Sequence, residues 1–71
     1  MKNENEVEKE YSLTDTVAKL RRLANCLEKG EPFEIQVSGN RIYMPVNVEI
    51  KIEYENEGSE HELDFQFKWE K

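Results

Sequence analysis

The sequence predicts an α+β fold: one amphipathic helix packed on one face of a twisted antiparallel sheet of three to five strands. Three observations carry this reading. Apolar residues recur every three or four positions from Leu13 to Leu27, then every second position from Phe33 onward. The positions between the alternating apolar ones are polar or charged, which excludes a sheet covered on both faces. Turn residues, Ser38-Gly39-Asn40-Arg41 and the run from Glu55 to Glu60, cut the alternating part into strands that reverse direction.

The helix is bounded by chemistry at both ends. Ser12 is placed to accept from the amide of Asp15, and the Asp15 carboxylate suits the positive helix start. Leu13, Val17, Leu20, Leu23, Ala24 and Leu27 form one stripe. Lys29 suits the negative end, Gly30 can adopt the left-handed conformation that ends a helix, and Pro32 blocks continuation.

Phe33, Ile35 and Val37 alternate with Glu34 and Gln36, the pattern of a strand with one buried face. Ile42, Met44, Val46, Val48, Ile50, Ile52 and Tyr54 then hold one phase. Pro45 interrupts that run and lacks a ladder donor, so it marks a bend or an edge and leaves either one bent strand or two consecutive ones. Leu63, Phe65, Phe67 and Trp69 make a last inward row, expected to seal the core under the helix. Val7 and Tyr11 share a parity, so residues 6–11 can add a first strand and give the order β-α-β-β-β. Residues 1–5 read as a flexible, solvated tail, and 6–71 as a single domain.

Composition narrows the function. The 71 residues hold 16 acidic and 10 basic groups, net −6. An acidic chain repels phosphate backbones, which disfavours nucleic acid as a partner. The charge is sorted along the chain: residues 13–30 are net +2 and residues 48–71 net −5. One cysteine makes no internal disulfide, and one Cys with one His falls short of a four-ligand zinc motif. The longest apolar run, Ile42 to Met44, is too short for a membrane span or a signal-peptide core, so a cytoplasmic location is expected. A chain this small has little room for a deep pocket beside its core, which argues against an enzyme and calls for no cofactor.

In order and spacing, the segments Ser12-Leu13-Thr14-Asp15-Thr16-Val17-Ala18, Leu20-Arg21-Arg22-Leu23-Ala24, Leu27-Glu28-Lys29-Gly30 and Leu63-Asp64-Phe65-Gln66-Phe67-Lys68-Trp69 resemble the amphi-Trp domain family. The resemblance runs from about Tyr11 to Lys71. It implies an amphipathic helix followed by strands that end on a tryptophan, and it carries no catalytic residue.

The candidate sites are few. Cys26, expected on the polar side of the helix between Arg22 and Lys29, is a candidate for thiol chemistry, but no base is evident near it. His61 within Glu60-His61-Glu62, with Glu53, Glu55 and Glu57 nearby, suggests a weak metal-ion or small-ligand site. Strand alternation, however, sends His61 and Glu62 to opposite faces. Glu34, Glu49, Glu53, Glu62 and Asp64 point outward against Lys51 and Lys68, an acidic face suited to solubility or to a basic partner. Lys19 and Arg22, with Lys29, are read as a basic outer ridge on the helix. Tyr43, out of phase with the inward row and beside Pro45, is an expected exposed contact. The partner contacts expected are therefore Tyr43, Pro45, Lys19 and Arg22. The function expected is a non-catalytic interaction module that binds a protein partner or a second copy of itself.

Overall fold

The computed structural model describes residues 9–70. The described residues form one helix, α1 (Leu13–Lys29), then four strands: β1 (Phe33–Val37), β2 (Asn40–Met44), β3 (Glu49–Glu57) and β4 (Glu60–Lys68). The fold is α+β and every strand pairing is antiparallel. Residues 9–11 lie in no strand, so the described chain runs α-β-β-β-β. The remainder of the expected first strand and the expected tail at 1–5 lie outside the described residues.

The helix ends form as their residues dictate. Ser12 Oγ accepts from the Asp15 amide at 3.1 Å, satisfying one of the donors left open at a helix start. Gly30 takes φ +67°, and the amides of Gly30 and Glu31 close onto Leu27 O and Cys26 O, the pattern of a left-handed helix cap. The turn after β1 places Ser38 and Gly39 at φ 50° and 80°. Positive φ at both central residues is what a two-residue hairpin prefers, because it matches the twist of the strands.

One expectation fails. The strands make two separate two-stranded sheets, β1-β2 and β3-β4, where a single sheet beneath the helix was expected. Pairing β2 with β3 would need a turn and a continuous ladder. Instead Pro45 opens a four-residue link to Glu49 in which no strand forms, and a proline there supplies no ladder donor. Only β1 approaches α1; β3 and β4 approach each other and no other element.

The core is correspondingly small. Phe33 and Met44, each 5% exposed, lie directly opposite in the β1-β2 register. Ile35 and Ile42 form the next pair and are half-buried, as are Leu23 and Cys26 on the helix. Phe33 and Met44 are the only buried hydrophobic side chains among the described residues.

Candidate functional site

The orientation of α1 decides which surfaces are left uncovered. At about 100° per residue, Thr16, Lys19, Leu23 and Cys26 fall on one arc of the helix, and these four are half-buried. The apolar stripe of Leu13, Val17, Leu20, Ala24 and Leu27 lies about a quarter-turn away and is exposed. The sequence-based reading placed this stripe, together with Leu23, on the sheet and Cys26 on the polar side; in the structure Leu23 and Cys26 are half-buried and the rest of the stripe is exposed.

Hydrogen bonding supplies the reason. In a hairpin closed by a two-residue turn, Val37 and Asn40 form a hydrogen-bonded pair, so Glu34 and Gln36 direct their peptide groups away from β2. The carbonyls of these two residues are those taken up from the helix side. Arg22 Nη1 donates to Glu34 O at 3.1 Å, and Tyr11 Oη donates to Gln36 O at 3.4 Å. The Arg22 guanidinium also lies 4.8 Å from the Phe33 ring centroid, and Lys19 Nζ lies 4.8 Å from that of Tyr11. Two donors on the free edge of β1 and two cation–aromatic contacts hold the helix in this setting. They also blunt an edge that would otherwise invite strand pairing.

Lys19 and Arg22 are thus turned toward β1 and Tyr11, and do not form an outer ridge. The order of Arg22 and Leu23 after Lys19 held the signal, since a long cation beside an apolar position can cover apolar surface with its stem. Tyr43 is exposed at 61%, opposite Glu34 on the outer face of the first hairpin. Pro45 follows directly after β2 and is half-buried. Near Tyr43 the outer face is fastened by an ion pair between Arg41 Nη1 and Glu34 Oε2 at 3.1 Å.

The second hairpin sorts its side chains cleanly. Its register pairs Ile50 with Phe67, Ile52 with Phe65 and Tyr54 with Leu63 on one face. The other face pairs Glu49 with Lys68 and Lys51 with Gln66, then Glu53 with Asp64, Glu55 with Glu62 and Glu57 with Glu60 toward the tip. Parity was therefore read correctly from the sequence, but the apolar face has no cover. Of these six residues Phe67 is half-buried and the other five are exposed, with Ile52 and Phe65 both at 60%. Trp69, beyond the end of β4, is itself exposed and does not seal a core under the helix.

His61 continues the apolar face, where it stacks on Tyr54 and shares a 2.5 Å hydrogen bond between its Nδ1 and Tyr54 Oη. Glu60 and Glu62 point to the other face, as alternation requires. A shallow hollow of about 90 Å³ lies among Glu55, Glu57, Glu60, His61 and Glu62. Among the described residues no group of three or more His, Cys, Asp or Glu side chains is placed to hold a metal ion. Cys26 is a free thiol, and its expected neighbour Arg22 is engaged with β1. No helix of the described chain is long and apolar enough to cross a membrane.

Comparison with family models, with curated proteins and with solved structures finds no match to this chain.

Proposed function

We propose that the chain is a non-catalytic protein-interaction module that binds through the apolar stripe of α1 and the apolar face of the β3-β4 hairpin. One observation carries this reading: Leu13, Leu20, Ile50, Ile52, Tyr54, Leu63 and Phe65 are all more than half exposed. Contiguous apolar surface on a chain this small is an unfavourable use of hydrophobic residues unless a partner covers it. Tyr43 and Pro45 extend the same role to the outer edge of β2, where the peptide groups of Arg41 and Tyr43 face away from β1.

Binding of an anilinonaphthalene sulfonate dye to the dilute chain tests the reading. The dye is expected to bind and brighten, and Phe65→Asp is expected to remove most of the signal. A dilute, folded chain that fails to bind the dye would overturn the proposal.

A further inference from the structure

We infer that the partner covering both faces is a second copy of this chain. The α1 stripe of each copy lies on the apolar β3-β4 face of the other, in a two-fold exchange. The inference rests on the interaction-module reading and names its occupant. Four observations support it.

The first is structural incompleteness. A lone two-stranded hairpin is at best marginally stable in water and needs a further strand or a helix against its apolar face. Here β3 and β4 approach no other element, although each is nine residues long. The described residues contain one helix, and most of its apolar stripe is also uncovered.

The second is fit. A helix of 17 residues is about 25 Å long, and a nine-residue strand spans about 30 Å. The Ile50–Tyr54 and Leu63–Phe67 rows take up five residues of each strand, about 16 Å, so one stripe covers their whole length.

The third is charge. The acidic residues of β3 and β4 lie on the face opposite the apolar rows, and Lys19 and Arg22 of α1 are engaged with Tyr11, Phe33 and Glu34 O, so neither contact face sets like charge against a second copy.

The fourth is area. A compact chain of this mass exposes about 4,700 Å², and this one exposes 6584 Å². Residues 1–8 and Lys71, granted the most that an extended chain can expose, account for roughly 1,600 Å². The remainder still exceeds its compact value by about 800 Å². One partner in a standard interface contributes about 800 Å².

The hairpin is joined to β2 by only the four residues 45–48, and a short link between units favours exchange between two copies.

The test is sedimentation of the full chain over a wide concentration range, with circular dichroism to confirm that each variant keeps its helix. The expected result is conversion of the 8.5 kDa monomer to a species of twice that mass. Leu20→Asp and Phe65→Asp should each weaken association by roughly a thousandfold, because each change occurs twice in a two-fold dimer. An equimolar mixture of the two variants should recover a dimer, since one of its two contacts is then unaltered on both sides. Unfolded chains could not complement in this way, and Leu20→Ser with Phe65→Ser offers a milder pair. Dissociation by only one of the two substitutions would mean that like faces meet, which overturns the exchange. So would a mixture that recovers no dimer. A monomer at every concentration that still binds the dye would overturn self-association and leave the interaction-module reading standing. A monomer that does not bind the dye would overturn both.

Discussion

Alanine at Phe33 and alanine at Phe65 remove the same atoms from two strands, yet the structure requires very different consequences in a dilute monomer. Phe33 is 5% exposed, faces the equally buried Met44 and carries the Arg22 guanidinium over its ring. Truncating a buried phenylalanine costs about 3–5 kcal/mol, combining lost transfer energy with the cavity left behind. Phe65 is 60% exposed. Full burial of such a side chain is worth about 1.5–3 kcal/mol, so its covered fraction contributes about 1 kcal/mol. The 32 residues of α1, β1 and β2 with their links, 13–44, have a stability of about 2–5 kcal/mol. Phe33→Ala should therefore leave the α1-β1-β2 unit near or below its folding midpoint in water, whereas Phe65→Ala leaves it folded. Urea titration read by the helical dichroism signal, at the lowest workable concentration, measures both values. Equal losses from the two substitutions would refute the reasoning, because they would mean that the second hairpin is packed against the helix within one chain.

Two further outcomes follow from local geometry. Ser12→Ala removes the acceptor for the Asp15 amide and should lower stability by about 1 kcal/mol in the same titration, with the helix content of the folded state unchanged. Glu57→Lys places a cation opposite Glu60, where two like charges now face each other across the strands. It should raise the melting midpoint of the second hairpin by the equivalent of about 0.5 kcal/mol, and added salt should shrink that gain.

The elements and their faces were legible in the sequence. The cap residues Ser12 and Gly30, the period of two from Phe33 and the glycines at the turns act over a few residues. Their physics is local, and each appears where the sequence places it. The same holds for the sorting of the second hairpin into an apolar and an acidic face, because a strand allows no other assignment once its parity is set. The candidate contacts were only partly legible. Tyr43 is exposed as its parity requires, but Lys19 and Arg22 are drawn to Tyr11 and to β1, contacts set by how the helix is placed and not by its own periodicity.

What only the tertiary structure decided is which apolar surface meets which. Amphipathicity states that Leu20 and Phe65 need cover, but not where the cover comes from. The azimuth of α1 depends on Arg22 and Tyr11 reaching the edge carbonyls of β1, and the separation of the hairpins depends on the link opened by Pro45. Both are non-local and involve few groups. The sequence by itself therefore determined a helix, an antiparallel set of three to five strands and their two-sided patterning. The tertiary structure left two of those sides open.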